Sequence, residues 1–427
     1  MKTQKQKRLL VLGGGDAALN VVLEAQKQGM YTIATDNLPT GTAKEQADKS
    51  YGISTTDIEK LKELVQDEQI DGVFSGPSEF NIKNVMRLCE ETGLNFYATR
   101  EQWDICSNKY TFKQLCQKFN VPSVKDYQYG KEKIIEFPVI VKPVDGHSSR
   151  GISVCNNQIE LDEAYKKALS FSDSKQVIVE KYIESAGVGF NVRYIAHKGK
   201  LHLVLTGDTY TVDSDKGTAL INGVGIYPSR FTKYYIDNID EKVKKMFEFI
   251  GIDHASLFMQ AIIEDDIYFH EMGLRLSGGL LYKLVEPITD INDMKMMLRY
   301  AVGEDFTSEP EIRKIDPYLS GKQACILNIP LKAGTIKKIS GIEKIKENVT
   351  LQAFEQYYHD GDIVKPEFIG TIQQHMGRFK FVADSMEEII EKIDYIQKNI
   401  IVENNEGEDM IYKYFDIKRL VNNKIKL

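Results

Sequence analysis

The chain opens with Leu9-Leu10-Val11-Leu12-Gly13, and strand and helix patterns then alternate without interruption to about residue 105. A run this short, apolar on both faces and closed by glycine, is a buried parallel strand. Residues 16–28 read as a helix with Ala17, Ala18, Val21, Val22 and Ala25 on one side. Residues 31–35 are a second strand, ending at Asp36. Thr56 followed by Glu59 has capping-box spacing and opens a helix carrying Ile58, Leu61, Leu64 and Val65. Gly72-Val73-Phe74 is a third strand and residues 79–92 a further helix. Such alternation requires an open parallel sheet covered by helices.

After residue 106 the texture changes. A helix is expected at 108–119, an apolar strand at 138–142, a polar glycine-containing loop at 145–151, and a strand at 151–155. Asn157 and Glu160 cap a helix bearing Leu161, Ala164, Tyr165 and Ala168. Another strand covers 176–181. Residues 189–228 alternate as antiparallel strands do, 234–250 and 290–302 read as helices, and 256–272 as a hairpin turning at Glu264-Asp265-Asp266. Beyond a proline-containing joint near 310, strand-like segments lie near 323–329 and 366–382. Ser385 with Glu388 caps a helix carrying Ile389, Ile390, Ile393 and Ile396. The charged tail after 403 fits either a loose end or a last docked strand. Trp103, the single tryptophan, is assigned to core packing.

The composition narrows the function. With 427 residues, 42% of them hydrophobic and 27% charged, the chain has material for several packed domains and is not a disordered chain. Lys and Arg number 55 against 62 Asp and Glu, a net charge of −7 with no long basic run, so nucleic acid is not an expected partner. The five cysteines form no C-x-x-C pair, and an odd, scattered set suits a reducing compartment. No apolar run approaches the roughly 18 residues of a membrane span. Lys2, Lys5, Lys7 and Arg8 before the first strand mimic a signal peptide, but the apolar run breaks too early, at Gly13. A cytoplasmic protein without membrane partners is the expectation.

Four segments have spacing that suits chemistry. Gly13-x-Gly15-x-x-Ala18 with Asp36 has the spacing of a dinucleotide fingerprint, and equally that of a tight strand-to-helix turn. Lys142, delivered by Pro138-Val139-Ile140-Val141-Lys142-Pro143, precedes a small-residue loop whose N–H groups can cradle phosphate, or which simply turns a hairpin. It is not a Walker loop, because no G-K-[ST] opens a helix. Val177 to Glu184 runs from apolar into charged residues, as a strand leaving the core or a hinge against an adenine edge. In Tyr268 to Gly279, Glu271 is a hard oxygen donor suited to magnesium and Arg275 can neutralise a transferring phosphoryl group. Ser277-Gly278-Gly279 has the composition of a helix start that attracts an anion. Alternation puts Phe269 and Glu271 on one face and His270 on the other. The histidines lack zinc-site spacing and no G-x-S-x-G elbow exists.

In this order the segments resemble the ATP-grasp superfamily over residues 8 to about 305. The resemblance implies an α/β and α+β fold: an N-terminal parallel α/β domain at 1–105, a lid domain at 106–186, a catalytic domain at 187–310, and a C-terminal domain at 311–427. It implies that Lys109, in Ser107-Asn108-Lys109-Tyr110, and Lys142 contact ATP phosphates. The loop at 145–151 is similar to the family's D-G-x-G-S-x-G flap, which assigns His147, Ser148, Ser149 and Gly151 to the nucleotide. Val179 to Glu184 matches the adenine hinge, which adds Glu180, Lys181, Ile183 and Glu184. Glu271 and Arg275 match the metal ligand and the arginine of E-I-N-P-R. Lys142, Glu271 and Arg275 would then be catalytic, and Ser277, Gly278 and Gly279 would meet the substrate or transferred phosphate. The chain departs from the pattern twice. Gly273 replaces the usual asparagine, and Gln260 replaces the acidic metal ligand of the preceding strand. Gly334-Thr335-Ile336, Gly341-Ile342-Glu343, Asp360-Gly361-Asp362, Gly370 and Gly377 are similar to the last domain of L-amino-acid ligases. The activity implied is an ATP- and Mg2+-dependent carboxylate–amine ligase that forms an amide or peptide bond between small molecules through an acylphosphate. Carboxyphosphate or carbamoyl chemistry and a non-catalytic nucleotide binder stay open as alternatives. A homodimer, the commonest assembly, is expected.

Overall fold

A computed structural model describes residues 5–131, 135–144, 151–183, 188–212, 221–421 and 427. Three sheets carry the fold. The first is parallel, β1 (Arg8–Leu12), β2 (Tyr31–Thr35), β3 (Lys49–Tyr51) and β4 (Gly72–Phe74), in the order β3-β2-β1-β4. Successive residues of β1 point to opposite faces, and both faces are covered. Leu9 and Val11 pack with Ala18, Val21, Val22 and Ala25 of α1 (Asp16–Lys27). Leu10 and Leu12 pack with α3 (Ile58–Asp67) and α4 (Glu79–Thr92), which follow the short α2 (Thr42–Gln46). The cap of α3 is Asp57, whose side chain accepts from the Lys60 N–H, rather than Thr56. An aspartate one position later outcompetes the threonine for the first free N–H groups.

The glycine turn after β1 is filled by the chain itself. Gly13 takes φ +128°, the Gly14 carbonyl accepts from the Ala43 N–H at 2.9 Å, and a Cβ on Gly41 would lie 2.4 Å from that same oxygen. Asp36 accepts from the Leu38 N–H at 2.9 Å inside its own turn. Of the two readings of this motif, the structural turn describes what these glycines do.

After α5 (Arg100–Ser107) and α6 (Lys109–Lys118) comes a small antiparallel sheet of β5 (Asp126–Tyr127), β6 (Val139–Pro143), β7 (Ser153–Cys155) and β8 (Val177–Lys181), ordered β5-β8-β6-β7. It packs on α7 (Gln158–Ser170) through Val139, Val141, Leu161 and Ala168, and Asn157 caps α7 as expected.

The third sheet has eight strands. β9 (Val188–His197), β10 (Lys200–Val212), β11 (Ile221–Tyr227), β12 (Ala255–Ile263) and β13 (Ile267–Gly273) are joined by β14 (Gln323–Pro330), β17 (Ala353–Gln356) and β19 (His375–Ala383), in the order β13-β12-β9-β10-β11-β14-β19-β17. The sheet therefore runs unbroken across residue 310. Two small ribbons, β15 (Gly334–Thr335) with β18 (Ile363–Val364) and β16 (Lys338–Ser340) with β20 (Ile401–Glu403), lie beside it. Residues 366–374, expected as strand, contain two 3-10 turns, and the strand begins at His375. The tail docks: the Met410 N–H donates to the Val402 carbonyl at 2.8 Å, and Phe415 is buried.

One face of the large sheet packs on the helical stretch 232–250, with Tyr194, Phe190 and Phe269 meeting Tyr235 and Phe247. The opposite face, at its β13 edge, carries the groups considered next.

Candidate functional site

The site is built from charges that local structure holds at close range. Asn108 caps α6, accepting from the N–H groups of Tyr110 and Thr111 at 2.9 and 3.2 Å, and so sets Lys109 in the first turn. Lys109 and Lys113, four apart, share one helix face. Lys109 Nζ lies 4.0 Å from Glu271 Oε1. Lys113 is 2% exposed, donates to the Val124 carbonyl at 2.8 Å, and pairs with both Asp126 and Glu180. Glu180 in turn pairs with Lys142. Register explains the convergence, since Glu180 stands opposite Asp126 on one side and Ile140 on the other, and Lys142 projects from the same face of β6 as Ile140.

Glu180 is 1% exposed. Burial alone would raise its carboxyl, but Lys142 and Lys113 outweigh that and hold it below the ordinary range. Asp126, less well compensated, is pushed up by burial despite Lys113. Lys113 and Asp126 are the members of this network that had no expected role; for Lys113 its i, i+4 relation to Lys109 was the available signal.

The hairpin β12–β13 supplies the other half of the site. Gln260 stands opposite Glu271 and Phe258 opposite Gly273. Next, however, Ala261 pairs with Phe269, so His270 is an extra residue, a β-bulge. This overturns the simple alternation expected for the strand. Phe269 falls on the core face, fully buried, and Glu271 on the opposite face with Gln260 and Gly273. His270 is brought among Lys142, Glu271, Glu180 and Lys109. Burial, then Lys142, lowers its imidazole to about 4, so it is neutral at pH 7.

Arg275 leaves the strand end and donates to Glu79 Oε1 through Nε at 3.0 Å and Nη2 at 2.7 Å, with Nη1 on the Leu276 carbonyl at 3.0 Å. Glu79 begins α4, so this pair ties the first sheet's helix layer to the β13 edge. Glu79 was not among the residues expected at the site. A pocket lined by Glu79, Trp103, Lys109, Glu271, Gly273 and Arg275 results. Trp103 is thus both core and pocket wall.

The remaining expected residues are distributed as follows. Gly151 takes φ +76° with the Phe171 ring against it, so only glycine fits there. Lys181 points away from Glu180 and pairs with Glu264 at 2.7 Å, and Ile183 is buried. His147, Ser148, Ser149 and Glu184 lie outside the described residues. Ser277, Gly278 and Gly279 do not begin a helix. They form a turn, with the Leu280 N–H on the Ser277 carbonyl at 3.1 Å, and α10 (Tyr282–Thr289) starts after it. The Gly278 carbonyl accepts from Arg378 Nη1 at 2.8 Å. The expected helix start failed because Leu280 takes φ +45°, outside helical geometry.

Gly273 has a physical reason. A Cβ there would lie 2.5 Å from the Phe258 ring. The space an asparagine would need is occupied by that ring, so this strand face offers one carboxylate, Glu271, with the amide oxygen of Gln260 opposite. Among the described residues no group of three or more His, Cys, Asp or Glu is placed to hold a metal. One carboxylate plus an amide suits magnesium that takes its other ligands from phosphates and water.

The family model described as the D-ala D-ala ligase C-terminus matches residues 103–273. The chain is 25% identical over 325 residues to a formate-dependent phosphoribosylglycinamide formyltransferase of Sulfurisphaera tokodaii, covering 73% of this chain and 79% of that one. It is 26% identical over 337 residues to the 2-oxoglutarate carboxylase small subunit of Hydrogenobacter thermophilus, covering 72% and 69%. Among solved structures, an L-amino acid ligase from Bacillus licheniformis superposes with a TM-score of 0.76 at 19% identity, covering 94% of this chain and all of that one. A phosphoribosylglycinamide synthetase from Anaerococcus prevotii gives 0.70 at 21%, with the same coverages. Residues 103–273 are therefore similar to the D-ala D-ala ligase C-terminus family, and the fold over most of the chain is that of the L-amino acid ligase structure.

Proposed function

We propose that this chain joins a small carboxylate to an amine at the expense of ATP, through an acylphosphate, releasing ADP and phosphate. The observation that carries the reading is the meeting of Lys109, Glu271 and Arg275 in one pocket, beside the Lys142–Glu180 pair. A carboxylate and a phosphoryl group repel each other, so their approach needs fixed positive charge in a site of low dielectric. Lys109 and Lys142 would hold the ATP phosphates. Arg275, now shared with Glu79, would turn its guanidinium to the reacting carboxylate and phosphoryl oxygens. Glu271 and Gln260 would hold magnesium, which when bound neutralises phosphate charge. The neutral His270 would limit water at the acylphosphate. The amine then displaces phosphate.

The names of the relatives favour a second version of the same chemistry, in which formate or bicarbonate is the carboxylate that ATP activates. Release of ADP, measured with Mg-ATP over pairs of amino acids and over formate, bicarbonate and ammonia, separates the two. Lys142→Ala and Glu271→Ala should each abolish ADP release while the protein stays folded. Full activity in either variant would overturn the assignment.

A further inference from the structure

The floor of the large sheet holds a charge, Arg193, that the proposed chemistry does not use. Arg193 is a central residue of β9, with Phe258 and Leu205 as its cross-strand neighbours. It is half-buried. Its Nε is wholly buried without a hydrogen-bond partner, and among the described residues its guanidinium makes no ion pair. A carboxylate that bears on it, Asp293, is engaged by Ser256 Oγ at 2.7 Å. A guanidinium with a buried nitrogen and no anion beside it is costly to keep.

Its surroundings show where an anion would sit. The Phe258 ring, which excludes a side chain at Gly273, carries two guanidinium groups: Arg193 at 5.7 Å from the ring centroid and Arg275 at 5.0 Å. Arg275 already has a carboxylate, that of Glu79. Arg193 has none, so it is the unmatched charge of the pair. Tyr227 lies on its other side. The ring covers Gly207 and Gly225, where a Cβ would meet it at 2.3 and 2.9 Å, and Arg193 and Arg378 are among the charges that act on its hydroxyl. These glycines let the phenol lie flat on the sheet beside Arg193.

We propose that Arg193, with the Tyr227 hydroxyl, binds an oxyanion carried by one of the two substrates away from its reacting group, a second carboxylate or a phosphate. The proposal rests on the ligase reading for which atoms react, and adds the substrate class: a molecule with an anionic group one aromatic ring removed from Arg275. The planar guanidinium presents two parallel donors to carboxylate or phosphate, and the ring beneath keeps it from collapsing onto the sheet.

Calorimetric titration of the Mg-ADP-bound protein tests this with paired probes: succinate against acetate, and phosphoethanolamine against ethanolamine. The expected result is at least tenfold tighter binding of the anion-bearing member of one pair, with the pair that shows it naming the source. Arg193→Gln should lose that ratio and leave the weaker member's affinity unchanged. Arg193→Lys, which keeps the charge at this position, should retain part of the ratio and covers the case in which Arg193→Gln fails to fold. Equal affinities within both pairs, or an unchanged ratio in Arg193→Gln, would overturn the proposal. ADP release with the same probes keeps the two readings apart. A preference in binding without ADP release from any substrate pair would sink the ligase reading and leave the subsite. ADP release confined to substrates without a second anion would do the reverse.

Discussion

The buried charge network around Glu180 makes a quantitative prediction. Glu180 is 1% exposed and bridges Lys142 and Lys113, while Lys113 keeps a second partner in Asp126. Removing one member of a buried pair leaves the other as an uncompensated charge, at about 3–5 kcal/mol. Lys142→Met takes one cation and leaves Glu180 with Lys113, so its cost belongs at about 3 kcal/mol, the low end of that range. Glu180→Gln leaves two enclosed ammonium groups with one carboxylate between them and belongs at about 5 kcal/mol, the high end. The double variant removes both partners at once, and Lys113 retains Asp126 and the Val124 carbonyl. It should therefore fall short of the summed losses by about 2–3 kcal/mol, the size of coupling seen for residues in one buried network. Guanidinium unfolding followed by tryptophan emission suits the measurement. Trp103 is the only tryptophan, is 3% exposed, and lines the same pocket as Lys109 and Glu271. If the two losses add to within about 0.5 kcal/mol, the network is not an energetic unit and the reasoning fails.

Two further outcomes follow from packing and charge elsewhere. Burial would raise Glu355, but Lys380 and Lys283 outweigh it and hold the carboxyl at about 2, below its unfolded value near 4.5. Its contribution to stability is therefore complete above about pH 4.5 and is lost as pH falls through 2. Glu355→Gln should flatten that part of the acid unfolding curve and cost about 3 kcal/mol at pH 7, and an unaltered acid limb would count against the assignment. Gly273→Ala places a methyl 2.5 Å from the Phe258 ring and should lower stability by about 1–3 kcal/mol, with Phe258→Leu restoring part of the loss. A Gly273→Ala protein as stable as the parent would show that the ring moves freely.

What the sequence reveals and what it hides divide along the range of the interactions. In the first 105 residues β1, β2, β4, α1, α3 and α4 follow from local periodicity, because each apolar stripe reports its own burial, whereas the short α2 and the mostly exposed β3 carry no such stripe and were not expected. The caps at Asn157 and Ser385 are legible for the same reason, being decided within four residues. Lys142, Glu271 and Arg275 could be picked out because each sits in a short stretch whose neighbours have the right character, whereas Lys109 came only from the resemblance to a family. Lys113, Glu79 and Arg193 could not. Glu79 and Arg193 acquire their meaning from a partner 196 residues away and from the lack of one, which no local pattern marks, and Lys113, hinted at only by its i, i+4 spacing from Lys109, acquires its own from partners 11 or more residues away. The β13 strand shows the limit most sharply. Period-two reading assigns Phe269 and Glu271 to one face. A single bulged residue, His270, moves them to opposite faces, and nothing in Tyr268-Phe269-His270-Glu271 announces it. The bulge is set by the partner strand: Ala261 must meet Phe269 for the core face to close on Phe190 and Tyr235, while Gln260 meets Glu271 on the other. Two packing demands of opposite phase cannot both be met by a regular strand, and the extra residue resolves them by delivering His270 and Glu271 together to the lysine cluster.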